Sequence, residues 1–178
     1  MGDTPSWETM GFGPYPVLEI GQSTITVSDG TELAVKYWIP TKLSDASNQF
    51  KSLLNDSSLP WTCQIYNGKR NSKEDERFPV ILEYLPYYKD GFTTARDHER
   101  HPWFTSRGFV PARIEIRGTG ASTGFYYDEY SKQEMLDCSE VIEWFAKQPW
   151  CNGKVDMYGK SWGGFNGLQM AYKQPDLS

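Results

Sequence analysis

Gly159-Lys160-Ser161-Trp162-Gly163 combines residue types at a spacing that suits nucleophilic chemistry. A serine hydroxyl attacks well only when it is exposed and a base removes its proton. The pattern G-x-S-x-G meets the first need when a strand runs into it and a helix leaves it. The turn is then so sharp that the serine is strained and its oxygen stands clear of the sheet. Positions two before and two after the serine approach neighbouring backbone closely, which glycine permits. Residues 154–158 read as a strand and Trp162 to Lys173 as a helix, so Ser161 is a candidate nucleophile. The positive end of that helix would face the serine and favour an oxyanion beside it.

Gly159-Lys160-Ser161 also matches the end of the phosphate-loop pattern G-x-x-x-x-G-K-[ST]. That pattern needs glycine at 154, which is Lys154, and a strand fills the place of the loop. Gly118 to Gly124 follows a strand in the manner of a dinucleotide loop, but the third glycine of G-x-G-x-x-G falls on Thr123. It reads as a structural turn. His98 and His101 lie three apart on an expected helix. With no third ligand placed, they read as solvent-facing rather than as a metal pair. No cofactor and no metal are expected.

These motifs must be positioned by the elements around them. Residues 1–21 lack periodicity and read as an irregular arm. Ser23 to Val27 alternates as a half-buried strand, Asp29-Gly30 supplies a turn, and Glu32 to Trp38 returns, giving a β-hairpin over 22–40. Residues 41–78 are rich in Ser, Asn, Asp and Lys and read as a polar surface insertion, with one short helix around 47–55. From 79 to 178 the order is strand (Val80–Leu85), helix (Ala95–Ser106), strand (Phe109–Ile116), helix (131–147), strand and helix. The fold class is α/β: an antiparallel hairpin, then parallel strands with helices on both faces. The whole is one domain.

Composition narrows the function. The chain has 178 residues, a formal net charge of −5 and no basic run, which argues against nucleic-acid or anionic-membrane partners. Its three cysteines are scattered and form no CxxC pair. No apolar run approaches the roughly 20 residues that span a bilayer, and no secretory signal is visible at the N-terminus. A cytoplasmic location is expected.

From Phe78 to Pro175 the chain resembles the cocaine-esterase-like and Xaa-Pro dipeptidyl-peptidase-like family of α/β-hydrolase serine hydrolases. The resemblance rests on Asp29-Gly30-Thr31-Glu32-Leu33, Pro79-Val80 through Pro86-Tyr87, Arg117-Gly118-Thr119-Gly120 with Ser122 and Gly124, Gln148 through Val155, and Gly159 to Gly164. It implies Ser161 as nucleophile, the backbone N–H of Trp162 as one oxyanion donor and the phenol of Tyr87 as the other. Tyr88 is adjacent and could exchange roles with it; the plain alternative is Tyr87 as a packing aromatic. The implied substrates are acyl esters, amides or short Xaa-Pro peptides.

Three departures stand out. Glu115 occupies a position where the family usually has Asp, and the 41–78 insertion is long. After Ser161 the chain offers one acid, Asp176, and no histidine, whereas the fold orders its triad Ser, Asp or Glu, His. The expectation is an N-terminal portion of a hydrolase whose triad Asp and His lie beyond residue 178, inactive alone, with the strand before Ser161 left as a sheet edge. The rival is a catalytically inactive hydrolase-fold binding domain.

Overall fold

The computed structural model describes residues 13–41, 65–66 and 76–173. At the hairpin turn Gly30 takes φ +85°, and Asp29 accepts the Thr31 N–H at 3.0 Å. β1 (Val17–Thr26) and β2 (Glu32–Pro40) therefore pair antiparallel. β1 begins at Val17, inside the stretch expected to be an irregular arm. A register shift between Ile20 and Ser23 breaks the alternation, and Val17, Leu18 and Glu19 are all buried. A strand covered on both faces carries no period-2 signal. β3 (Ile65–Tyr66) adds to the outer edge of β1. The rest of the expected insertion, with its short helix, lies outside the described residues.

The remaining elements are β4 (Phe78–Leu85), α1 (Thr94–Thr105), β5 (Val110–Glu115), α2 (Lys132–Ala146), β6 (Cys151–Met157) and α3 (Trp162–Lys173). Among the described residues the sheet order is β3-β1-β2-β5-β4-β6. β4 runs parallel to both β5 and β6, while β2 meets β5 antiparallel. β6 is the edge of this sheet. It starts at Cys151, before the expected 154, because Asn152-Gly153 reads as a turn in sequence and is accommodated by a register shift against β4.

The two faces of the sheet differ in chemistry. One presents Leu33 and Val35 of β2, Val80, Leu82 and Tyr84 of β4, and Val110, Ala112 and Ile114 of β5. These pack with Cys138, Val141, Ile142 and Phe145 of α2. Each fully buried side chain of this kind contributes roughly 1.5–3 kcal/mol, which makes this the stabilising face.

The opposite face, under α1, is buried and ionic. Glu19 accepts from the Trp38 indole at 2.8 Å and pairs with Lys36 at 3.1 Å. Glu83 meets Arg100 at 2.8 Å and Arg96 at 3.3 Å, and Asp97 lies 3.4 Å from the Arg113 Nε. The expectation of solvent-facing histidines is overturned here. His101 is 2% exposed, packs at a tilt with its ring 4.4 Å from that of Trp38, and lies 3.6 Å from Glu83. His98 is partly covered, against Lys36 and Glu19. A helix lying on a charged sheet face turns polar residues inward, so the usual apolar-inside reading fails for it.

Glu83, Asp97 and His101 bring potential ligand atoms within 4.8 Å of one another. The guanidiniums of Arg96, Arg100 and Arg113 already balance the two carboxylates, so the cluster reads as an ion-pair network. Burial pushes the His101 imidazole below its ordinary range against the pull of both carboxylates. For Glu83, burial acts upward, but His101, Arg100 and Arg96 outweigh it and bring the carboxyl down from 4.5 to about 2.

The folded-state value of Glu83 lies below the unfolded one, so its stabilisation is present above pH 4.5 and fades as pH falls toward 2. The full contribution is on the order of 3 kcal/mol. Urea midpoints of the wild type should therefore fall more steeply from pH 6 to pH 3 than those of Glu83→Gln. Parallel pH profiles would remove Glu83 as the acid-sensitive group.

Candidate active site

The elbow is built by backbone contact. β6 stays hydrogen-bonded as far as Tyr158, whose N–H donates to the Leu82 carbonyl at 2.9 Å. The chain then reverses through Gly159, Lys160 and Ser161 into α3. A Cβ on Gly159 would run into the carbonyl carbon of Gly163, and one on Gly163 would stand 2.8 Å from the Leu85 Cδ2. With that approach imposed, Ser161 takes φ +56°, a left-handed conformation that non-glycine residues seldom adopt. Ser161 is exposed, and its carbonyl accepts the Phe165 N–H at 3.0 Å as the first turn of α3. Trp162 opens the helix, so its N–H is among those with no partner inside it.

Tyr87 lies in the turn after β4, half-buried, with its ring 6.3 Å from that of Phe92. Its carbonyl accepts from Arg113 Nη2 at 3.1 Å, which ties this turn to the ionic face of the sheet. Tyr88 beside it is 50% exposed.

Glu115 fastens two loops together. Its carboxylate accepts the Lys89 N–H from the turn after β4 and, at 2.6 Å, the Ala121 N–H from the turn after β5. Gly120 lies directly against that carboxylate, where any Cβ would collide with it. Ser122 accepts the Ala34 N–H at 2.8 Å and donates to the Glu115 carbonyl at 2.7 Å. Residues 118–124 are thus a structural turn stitched to β2 and β5. Arg117 then forks onto the buried Asp137 of α2, two bonds of 2.7 Å, and reaches Asp29 of the hairpin at 2.7 Å.

An aromatic group flanks the elbow. The Trp162 ring lies 4.8 Å from Tyr130 and 6.2 Å from Tyr126, and Tyr130 lies 5.3 Å from Phe165. Tyr130 also has φ +56°. Its phenol is pushed above its ordinary range by burial and by the nearby Glu129, Glu134 and Tyr87.

Sequence reasoning missed Glu134, which accepts from the Trp162 indole and the Asn166 amide, each at 2.8 Å. A signal existed: Ser131-Lys132-Gln133-Glu134 fits the S-x-x-E capping box, and Ser131 does accept the Glu134 N–H at 3.2 Å. Neither described histidine is bonded to Ser161; both are engaged under α1.

A family model described as X-Pro dipeptidyl-peptidase (S15 family) matches residues 62–178. The chain belongs to this family. It is 29% identical over 150 residues to a Mycobacterium bovis protein named as a serine esterase, covering 84% of this chain and 22% of that protein. It is 30% identical over 98 residues to the cocaine esterase of Rhodococcus sp., covering 54% of this chain and 17% of the esterase. The chain thus spans about a fifth of the length of these relatives. A CocE/NonD family hydrolase from Staphylococcus aureus superposes with a TM-score of 0.63 at 20% identity, over 89% of this chain and 26% of that one. Family and fold agree with an α/β-hydrolase architecture.

Two substitutions probe this geometry. Gly159→Ala should prevent the elbow from closing and yield insoluble or unfolded protein, judged by circular dichroism and solubility. Glu115→Asp shortens the arm that spans the two loops, and loss of one buried bond should cost about 1–3 kcal/mol in urea unfolding. An unchanged midpoint would show that the clamp carries no strain-sensitive contact.

Proposed function

We propose that this protein is a serine hydrolase that cleaves ester or amide bonds through an acyl-enzyme on Ser161. The observation that carries this reading is the left-handed serine at a strand-to-helix turn whose flanking glycines leave no room for a side chain.

In this reading Ser161 Oγ attacks the substrate carbonyl carbon while a histidine takes its proton. A C–O bond forms, and the carbonyl π pair becomes an oxyanion held by the Trp162 N–H and the Tyr87 hydroxyl. The histidine returns the proton to the leaving alcohol or amine as the bond from the carbonyl carbon to that leaving group breaks and the oxyanion collapses to the Ser161 ester. Water then attacks the acyl-enzyme by the same route in reverse. The histidine and its orienting acid are proposed to lie beyond residue 178, following the chain order of the fold. His98 and His101 are committed to the ionic face.

The proposed substrates are small acyl esters, amides or Xaa-Pro peptides, a reading supported by relatives named as serine esterase and cocaine esterase and by the X-Pro dipeptidyl-peptidase family model. The aromatic group on Trp162 suits a bulky acyl chain. A second reading, an inactive hydrolase-fold binding domain, draws on the absence of a histidine bonded to Ser161 among the described residues.

Treatment of the intact protein with a fluorophosphonate should label Ser161, and Ser161→Ala should abolish the label. Absence of Ser161-dependent labelling would favour the binding domain. Tyr87→Phe should lower kcat by roughly 10²–10³-fold while KM moves little, as expected for a lost oxyanion donor. Equal kcat in wild type and Tyr87→Phe, on p-nitrophenyl esters and Xaa-Pro anilides alike, would assign Tyr87 to packing.

A further inference from the structure

Glu134 is a carboxylate 4% exposed, in the first turn of α2, and it makes no ion pair among the described residues. Its acceptors are instead spent on neutral donors from two other segments. Oε1 takes the Trp162 indole N–H and the Asn166 amide, both at 2.8 Å, and Oε2 takes the backbone N–H of Tyr130 at 2.9 Å. Trp162 and Asn166 are four apart on α3 and so share one face of that helix. Asn166 is itself fully buried and donates also to the Tyr84 carbonyl of β4 at 3.2 Å.

Two non-glycine residues have positive φ among the described residues, Tyr130 and Ser161. Glu134 connects them. One oxygen holds the strained Tyr130 turn, whose ring then lies on Trp162, and the other holds the residue directly after the nucleophile. The cap of α2 is made by Ser131, which accepts the Glu134 N–H. The indole and amide bonds add nothing to α2, and they fix how α3 is rotated against the sheet.

We infer that Glu134 is a positioning residue for the reaction at Ser161, aiming the Trp162 backbone N–H at the developing oxyanion by holding the Trp162 side chain and α3. The inference rests on the reading of Ser161 as nucleophile. The bonds of Glu134 run to Trp162, Asn166 and Tyr130 and none to Ser161, so it acts on the nucleophile only through α3. Geometry is its contribution, and misplacement by about 1 Å is enough to cost 10²-fold in rate.

The test uses the intact protein with Glu134→Ala, Glu134→Gln, Trp162→Phe and the double variant E134A/W162F. Trp162→Phe keeps the backbone N–H and removes the indole donor. The readouts are the second-order rate of Ser161 labelling by a fluorophosphonate, kcat and KM on p-nitrophenyl butyrate, and exchange of indole N–H protons by NMR. Glu134→Ala should slow labelling by about 10- to 100-fold and lower kcat with KM nearly unchanged. Glu134→Gln should retain activity within about threefold, since its amide oxygen still accepts from Trp162 and Asn166 and only the Tyr130 N–H loses its acceptor. The slowly exchanging indole proton that Trp162→Phe removes should lose protection in Glu134→Ala, and the double variant should be no slower than Glu134→Ala. Labelling of Glu134→Ala at the wild-type rate, with only its melting temperature lowered, would reduce Glu134 to a helix cap and overturn the inference. Multiplicative losses in the double variant would overturn it as well. If Glu134→Ala fails to fold, Trp162→Phe decides: labelling at the wild-type rate overturns the inference. A wild type with no Ser161-dependent label removes the nucleophile reading and this inference together, whereas a labelled wild type with an indifferent Glu134→Ala removes this inference alone.

Discussion

Where β6 passes into α3, backbone touches backbone. Gly159 and Gly163 are in direct contact, Gly163 rests on Leu85, and the chain has room to reverse only if the residue between them adopts a left-handed conformation. Holding Ser161 there costs of order 1–3 kcal/mol. The structure offsets that cost by over-determining both arms of the turn. Met157 and its neighbours are laddered to β4, while Asn166 fastens α3 to the Tyr84 carbonyl. The strain is local, and the support for it is spread across β4, α2 and α3.

That support divides by the face of the sheet. The side under α2 is apolar and close-packed, and it supplies most of the burial. The side under α1 holds Glu19, Lys36, Glu83, Asp97 and Arg113 in a shared ionic layer. Desolvation makes such a layer a weak source of net stability, although breaking one partner leaves a costly unpaired charge. Its use here is geometric. Arg113 reaches through the layer to the Tyr87 carbonyl, so the turn bearing a candidate oxyanion donor is set from beneath the sheet.

Three buried carboxylates do the corresponding work on the loops. Asp137 receives the Arg117 fork, Glu115 receives two backbone N–H groups, and Glu134 joins the entrance of α2 to α3. Arg117 explains why widely spaced segments behave as one pattern, since it bridges Asp29 of the hairpin and Asp137 of α2. Glu115 carries one methylene more than an aspartate would. Its longer arm spans two loops, and Gly120 leaves it the space.

Residue order alone determined the alternating strands and helices after residue 79, the hairpin at Asp29-Gly30, and the glycine-flanked serine. Each of these signals is local: a period of two or 3.6, a turn residue, or a spacing of two. The start of β1 at Val17 was not legible, because a bulge and burial on both faces erase alternation. The buried His101 was not legible either, because its partners Glu83 and Trp38 lie on strands far away in sequence. Glu134 announced itself as a helix cap, but its bonds to Trp162 and Asn166 form only once α2 and α3 are packed side by side. Local chemistry wrote the elements and the elbow. Tertiary packing decided which buried carboxylate holds which loop, because those bonds join residues that only folding brings together.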